Sequence, residues 1–292
     1  MQTHVITGAA SGIGAATRAR LEAGGHRVIG VDRAGTTAEV QGDLSTPEGR
    51  ARTIDEVRRL ASDGIDGLVP CAGLAGLTGV DAAALVSVNY FGAITLVEGL
   101  KSLLEKAGGA VVLISSNSVT CQPGWNADVA AACLSADEPG ARRLAAELDA
   151  VHVYPSTKAA LAYWARREGI KPEWAGVGIR INAVAPGMIA TPMTDALRED
   201  PQLGVFADAY PTAIGRPGRP EEIADLIAFL LSDASSLLVG SVVFADGGTD
   251  ALMHPMTPVG MNVPKIALGL MDKVSGAATK IRAMRNSGRA PS

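Results

Sequence analysis

Cysteine and histidine are scarce in this chain, and their scarcity limits the sites that it can form. Among 292 residues there are only three cysteines and four histidines. Cys71, Cys121 and Cys133 form no CxxC pair, and their odd number argues against a disulfide framework. The histidines are scattered, so no metal site is expected. The cysteines are interpreted as free thiols in a reducing compartment, and a cytoplasmic location is expected.

An excess of basic charge and a long apolar run are also missing. The 26 lysines and arginines stand against 30 aspartates and glutamates, a net charge of -4, so nucleic acid is not expected as a partner. No run of about 20 apolar residues occurs, so no membrane span is expected. The N-terminus carries no basic stretch followed by a long apolar segment, so no signal peptide is expected. Hydrophobic residues make up 47% of the chain, enough for a sizeable core.

Short apolar runs rich in β-branched residues alternate with longer segments of helical spacing. This alternation predicts an α/β fold: a Rossmann-type doubly wound parallel sheet of about seven strands, flanked by helices. One catalytic domain is predicted over residues 1–250, interrupted by an alanine-rich insertion at 119–152 with a helix near 141–148. Strands are predicted at 4–7, 27–31, 67–69, 110–115, 178–184 and 242–245, and helices at 13–23, 50–60, 80–104, 154–168 and 221–231.

A glycine-rich loop joins the first strand to the first helix. Glycines here permit a tight turn and close approach of a pyrophosphate to the helix N-terminus, although an isolated loop of this kind is also a plain turn. Its place between a strand and a helix favours dinucleotide binding. The loop residues expected to contact the cofactor are Gly8, Ser11, Gly12, Ile13 and Gly14.

Asp32 ends the second predicted strand, 18 positions after Gly14. A carboxylate at this distance binds the adenosine ribose hydroxyls and repels a 2′-phosphate. The basic side chain of Arg33 is the one feature that could receive that phosphate. The expected cofactor is therefore NAD rather than NADP.

Tyr154 and Lys158 are four residues apart, so on a helix they share one face. A nearby ammonium stabilises a phenolate, which lowers the pKa of the tyrosine and suits it to proton transfer. Pro155 is expected in the first helical turn, where its missing N–H has no cost. Ser115 and Ser116 follow a predicted strand, at the edge of the sheet where ligands bind in such folds.

Taken in order along residues 3–250, these motifs resemble the short-chain dehydrogenase/reductase family. The resemblance implies a tetrad of Asn89, Ser116, Tyr154 and Lys158, because the family usually uses the second residue after the isoleucine that ends the strand. Tyr154 is then the base, Ser116 holds the substrate oxygen, Lys158 also binds the nicotinamide ribose, and Asn89 orders a water. The further implied cofactor contacts are Asp43, Leu44, Cys71, Ala72, Gly73, Tyr154, Lys158, Gly187, Met188 and Thr191.

Two departures narrow the resemblance. Cys71 stands where the family usually has asparagine, and the gap from Ser116 to Tyr154 is far longer than in most relatives. Both features are similar to the 3α-hydroxysteroid dehydrogenase/carbonyl reductase group of the family. The expected reaction is the NAD-dependent interconversion of a bulky apolar secondary alcohol and its ketone. A coniferyl- or other aryl- or allylic-alcohol dehydrogenase, and a sensor that binds NAD without turnover, stay open.

Three further expectations concern the surface. The segment 188–210 is expected to cover the substrate with Met188, Ile189, Met193, Leu197, Leu203, Val205 and Phe206. The insertion is expected to obstruct the usual helical pairing surface, so a homodimer on another face, near 221–231 and the last strand, is expected. The extension 251–292 has apolar residues at helical spacing and a basic excess, a pattern typical of an amphipathic helix. It is expected to pack on its own domain or across a dimer, or to be partly disordered; the less favoured interpretation is contact with a membrane surface.

Overall fold

A seven-stranded parallel sheet forms the centre of the computed structural model, which describes residues 1–122 and 125–257, with Phe206 and Asp208 described by their backbone alone. The strand order is β3-β2-β1-β4-β5-β6-β7. Strands β2 and β3 are added on one side of β1 and strands β4 to β7 on the other, so the strand order reverses between β1 and β4. This confirms the predicted fold class. The strands are β1 (Thr3–Thr7), β2 (Arg27–Asp32), β3 (Val40–Gln41), β4 (Gly67–Pro70), β5 (Ala110–Ile114), β6 (Arg180–Pro186) and β7 (Val242–Ala245).

Alternating side chains of the central strands fill two apolar cores, one on each face of the sheet. In β5, Val111 and Leu113 lie in one cluster and Val112 and Ile114 in the other. All five residues of this strand are buried. A strand covered on both faces is continuously apolar, which is why the sequence identifies it readily.

Helices cover both faces of the sheet. Between α3 and α4 lies a π-helical turn, Ser87–Phe91, and 3₁₀ turns occur at Ala175–Val177 and Asp233–Ser235. The helices are α1 (Gly12–Ala23), α2 (Pro47–Leu60), α3 (Ala82–Val86), α4 (Gly92–Gly99), α5 (Lys101–Ala107), α6 (Ser118–Cys121), α7 (Ala127–Leu134), α8 (Glu138–Ala146), α9 (Ala150–Glu168), α10 (Pro192–Glu199), α11 (Gly204–Asp208), α12 (Pro220–Leu231) and α13 (Thr249–Met253).

The prediction of one continuous helix over 80–104 is wrong. The segment is divided into α3, the π-helical turn, α4 and α5. Gly99 lies against α2, where a Cβ would come within 2.5 Å of Ile54 Cδ1, and the helix ends there. The stretch Ala82–Gly99 has a mean hydropathy of 1.3 and is long enough to cross a membrane by length and composition, but 72% of it is buried within this fold. Such burial is typical of a core helix.

The insertion folds as part of the main core. Its helix α8 begins at Glu138, three residues before the predicted start, because Asp137 caps it by accepting a hydrogen bond from Gly140 N at 2.9 Å. Helix α7 packs on α9 and on α8, and α8 packs on α3. Buried Arg50 of α2 also forms a salt bridge with Glu138. The insertion therefore covers the outer faces of α9 and α3.

Helix α9 begins at Ala150, four residues before Tyr154. The prediction that Pro155 lies in the first helical turn is therefore wrong, and Pro155 lies inside the helix. The end of the insertion supplies the extra turn, with Asp149 in extended backbone conformation at the N-cap.

One compact unit spans Met1–Met253 and includes α13, so it ends three residues beyond the predicted boundary at 250. The amphipathic pattern predicted for the extension falls on residues after 257, outside those that the structure describes.

Candidate active site

The glycine loop after β1 is too tight for side chains at several positions. A Cβ at Gly14 would lie 2.1 Å from Gly8 O, and one at Gly8 would lie 2.9 Å from Ala72 Cα. Gly8 and Gly12 also have φ of +69° and +53°, the left-handed region that favours glycine. The loop thus presents bare backbone at the start of α1, and this cradle fits a dinucleotide pyrophosphate.

Asp32 lies directly beside the glycine loop. Its Oδ2 accepts a hydrogen bond from Ala10 N at 2.9 Å, and its Oδ1 accepts one from Arg33 N at 2.8 Å. The Arg33 side chain is exposed. The carboxylate therefore sits at the end of β2 where a ribose would meet it.

Sequence reasoning missed a second basic residue at this end of the sheet. Arg18 of α1 makes two hydrogen bonds to Glu39, of 2.5 and 3.0 Å. Glu39 also accepts a hydrogen bond from Gly30 N at 2.8 Å. The charge of Arg18 is thus neutralised by a carboxylate that binds β2 at Gly30, two residues before Asp32. Only the fold reveals the pair, since 21 positions separate its members.

The segment after β4 packs against the glycine loop. Ala72 N donates to Thr7 Oγ1 at 2.9 Å. Cys71 is half-buried, and burial raises the pKa of its thiol to about 11, so the thiol stays neutral. A Cβ at Gly73 would lie 3.2 Å from Asn89 Oδ1 and 3.8 Å from Lys158 Nζ. Gly73 therefore lies between two members of the predicted tetrad.

Asn89 lies in the π-helical turn and is buried. Its Oδ1 accepts a hydrogen bond from Leu74 N at 2.7 Å, and its Nδ2 donates to Leu74 O at 3.0 Å. The side chain braces the loop after β4. Its water-ordering role stays a prediction.

Tyr154, Lys158 and the serines meet at the end of β5. Lys158 Nζ lies 5.6 Å from the centroid of the Tyr154 ring and donates to Ile114 O at 2.9 Å. Ser116 Oγ accepts from Ser118 N at 3.1 Å, while Ser115 Oγ donates to Lys158 O at 2.8 Å. The structure thus brings the four predicted residues together, with Ser115 used to brace the helix.

The pKa of Tyr154 departs from the sequence expectation. Burial raises the pKa of the phenol, and a hydrogen bond with Ser116 opposes that rise. The expected lowering by Lys158 is not found in this structure, where the ammonium donates to Ile114 O. Burial also lowers the pKa of Lys158 to about 8, so the side chain is still mostly protonated at neutral pH.

The remaining predicted cofactor contacts lie around the same edge. Asp43 Oδ1 accepts from Ser45 N at 2.9 Å and from Ser45 Oγ at 2.6 Å, and Leu44 is buried. A Cβ at Gly12 would lie 3.4 Å from Thr191 Cγ2. The segment after β6, which holds Gly187 and Met188, therefore closes on the glycine loop.

The apolar lining predicted for the segment 188–210, called the lid from here on, is partly wrong. Ile189 is 5% exposed within the core under the sheet, whereas Val205 is 80% exposed and Met193 is 40% exposed. Ile189 packs into the core and Met193 and Val205 face solvent, so none of the three lines the cavity. The side chain of Phe206 is not among those that the structure describes. A cavity of about 250 Å³ under the lid is lined by Met188, Arg198, Ala207, Tyr210, Thr212, Gly215, Arg216, Pro217, Asp246 and Thr249.

Tyr210, which sequence reasoning did not identify, holds the end of the lid by a hydrogen bond. Its hydroxyl donates to Asn117 Oδ1 at 3.0 Å, and Asn117 directly follows Ser116. Asn117 N in turn donates to Pro186 O at 2.9 Å. The lid is therefore tied to the loop that carries the predicted catalytic serine.

Known proteins share this arrangement. The profile of the short chain dehydrogenase family matches residues 2–130, and that of the enoyl-(acyl carrier protein) reductase family matches residues 145–250. The 3-alpha-hydroxysteroid dehydrogenase/carbonyl reductase of Comamonas testosteroni is 39% identical over 87% of this chain and 99% of its own. The coniferyl-alcohol dehydrogenase of a Pseudomonas species is 31% identical over 84% of this chain and 94% of its own.

A solved structure gives the same result in three dimensions. The 3-alpha-hydroxysteroid dehydrogenase from Pseudomonas sp. B-0831, complexed with NADH, superposes with a TM-score of 0.83 at 40% identity. The match covers 87% of this chain and 99% of that one. The likeness therefore spans most of both chains.

Proposed function

The chain belongs to the short-chain dehydrogenase/reductase family, and on that premise we propose that it interconverts a bulky apolar secondary alcohol and its ketone with NAD(H). The observation that carries the proposal is the meeting of Ser116, Tyr154 and Lys158 at the edge of the sheet beside the glycine loop. The substrate class is supported by the likeness to the 3-alpha-hydroxysteroid dehydrogenases.

The side chains divide the work of alcohol oxidation. The Tyr154 phenolate takes the hydroxyl proton, and Ser116 Oγ holds the substrate oxygen as charge develops on it. For Lys158 to favour the phenolate by its charge, its ammonium must turn from Ile114 O towards the tyrosine. The nicotinamide ring, when bound, supplies the hydride acceptor. Gly8, Gly12 and Gly14 would hold the pyrophosphate, and Asp32 would hold the adenosine ribose.

An alcohol panel tests the substrate class. We expect NADH formation with a 3α-hydroxysteroid at a kcat/KM well above that for coniferyl alcohol. Tyr154→Phe should nearly abolish turnover and leave NADH binding intact, because it removes only the acid–base group. A preference for coniferyl alcohol would replace the substrate assignment. NADH binding without oxidation of any alcohol would make the protein a sensor.

Two carboxylates support the choice of NAD. Asp32 occupies the ribose position, and Glu39 neutralises Arg18 nearby. We expect Asp32→Ala to narrow the ratio of kcat/KM for NAD to that for NADP. Adding Glu39→Gln should narrow it further, because Arg18 then becomes available to a 2′-phosphate. A wild-type preference for NADP would contradict the assignment.

We also propose a homodimer that does not use α9. The insertion lies on α9 and α3, whereas Leu237, between α12 and β7, is 95% exposed and Phe229 of α12 is 43% exposed. Leu237→Asp should shift the protein towards monomers in sedimentation velocity. Tyr163→Asp, at a side chain of α9 that is 43% exposed, is the matched control and should leave the sedimentation unchanged. The opposite result would mean that α9 is the interface.

A cytoplasmic location is likewise proposed. It is supported by the three cysteines, all of them free thiols in the structure. Fractionation of the source cells, with the protein recovered with cytoplasmic markers, tests it. Recovery with periplasmic or membrane markers would contradict it.

A further inference from the structure

Pro155 leaves a gap in the hydrogen-bond ladder of α9. In a regular helix the N–H of residue 155 would donate to Val151 O, four positions earlier, but proline has no N–H. Val151 lies three residues before Tyr154, on the adjacent turn of the same helix. The helix thus lacks one backbone hydrogen bond beside the proposed catalytic base.

A side chain from the insertion fills this gap. Gln122 Nε2 donates to Val151 O at 2.8 Å. Gln122 itself follows α6, and its backbone N donates to Ser118 O at 3.1 Å. Ser118 N in turn binds Ser116 Oγ. One short turn of chain therefore connects the serine to the helix that carries the tyrosine.

A second contact holds α9 on the other side of the proline. Asn126 N donates to Ser156 Oγ at 2.9 Å, and Ser156 Oγ donates to His152 O at 2.9 Å. Ser156 is fully buried. The first part of the insertion therefore binds the helix both before and after Pro155.

We propose that Gln122 is a positioning residue for Tyr154: by supplying the donor that Pro155 lacks, it fixes the Tyr154 phenol relative to Ser116. This rests on the proposed function, in which Tyr154 is the base. The insertion thereby takes part in the geometry of the reaction as well as covering the outer face of α9. The proline and the glutamine form one functional pair, although 33 positions separate them.

Gln122→Met tests the proposal, because methionine has similar length and no donor. We expect kcat for alcohol oxidation to fall ~10-fold, as small misplacements at a reacting centre cost up to about 10²-fold. The pH at which kcat is half-maximal should rise, since Tyr154 loses its ordered contact with Ser116. The Kd for NADH should not change. Gln2→Met, at the opposite end of the sheet, is the matched control.

Pro155→Ala supplies the rescue. It restores an N–H at position 155 that can donate to Val151 O, so the double variant Gln122→Met/Pro155→Ala should regain most of the lost kcat. Additive effects of the two substitutions in folded proteins would overturn the proposal. An unchanged kcat and pH profile in Gln122→Met alone would overturn it as well.

A titration without substrate separates this proposal from the proposed function. The ultraviolet difference titration of the phenol, after subtraction of the Tyr154→Phe curve, reads the pKa of Tyr154 directly. We expect Gln122→Met to raise that pKa and Pro155→Ala to restore it, whatever alcohol is used. If the titration behaves so and no alcohol is oxidised, only the proposed function fails. If alcohols are oxidised and the pKa does not move, only the positioning role fails.

Discussion

Ser115 and Ser116 are neighbours in sequence, yet their hydroxyls have different partners. Ser115 Oγ donates to the backbone of α9 at Lys158 O. Ser116 Oγ accepts from Ser118 N and forms a hydrogen bond with the Tyr154 phenol. The family resemblance selected Ser116 by its place after the strand. The structure supplies the physical reason, since the Ser115 hydroxyl is already engaged in the protein.

Alanine substitutions of the two serines should separate these roles. We expect Ser116→Ala to lower kcat by ~10²–10³-fold, because a donor to the developing oxyanion is lost. Ser115→Ala should keep kcat within a few-fold and lower the free energy of unfolding by about 1 kcal/mol, the net worth of one hydrogen bond. Steady-state kinetics and urea unfolding measure both. Equal losses of kcat would mean that the two hydroxyls share one role.

Elements were predictable where one strong pattern decided them. Strand β5 is continuously apolar and was found within one residue, whereas β3 has only two residues and carries no periodic pattern. The predicted helix over 80–104 failed because its breaks come from tertiary contact, such as Gly99 against Ile54, which apolar spacing does not record.

The site divides in the same way. Tyr154, Lys158 and the glycine loop are local motifs, so spacing and resemblance could place them. Tyr210 and Asn117 are 93 positions apart, and no local pattern could join them. Pairs of this kind depend on the folded arrangement of loops and were therefore beyond the sequence.

The Tyr210 contact makes the lid testable as an element. We expect Tyr210→Phe to raise KM for the alcohol about 5-fold with a smaller change in kcat, because one hydrogen bond of about 1 kcal/mol holds the lid to Asn117. Steady-state kinetics measure this. Tyr163→Phe, on the exposed side of α9, is the control. An unchanged KM in Tyr210→Phe would show that this bond does not contribute to substrate binding.

At the scale of the whole molecule, we expect acid stability to depend on a histidine far from the reaction. His4 of β1 is 1% exposed, and neither ring nitrogen has a hydrogen-bond partner among the residues that the structure describes. Its ring lies 5.2 Å from that of His26, with Asp66 nearby. Burial first, and then the charge of His26, lower the pKa of His4 from 6.5 to about 4, with Asp66 opposing.

The sign of the pH effect follows from that lowered pKa. Between pH 6.5 and 4 the unfolded chain binds a proton at His4 that the folded protein does not. The contribution of His4 to the free energy of unfolding is therefore fully present above about pH 6.5 and is lost as the pH is lowered. The free energy of unfolding should drop by roughly 2 kcal/mol from this group between pH 7 and pH 5. Urea unfolding of wild type and His4→Leu at both values measures it. The drop in the free energy of unfolding from pH 7 to pH 5 should be smaller in His4→Leu than in wild type by the His4 contribution. It should equal that of wild type in His152→Gln, whose side chain is exposed on α9. Equal losses in wild type and His4→Leu would mean that His4 is protonated at its ordinary pKa in the folded protein.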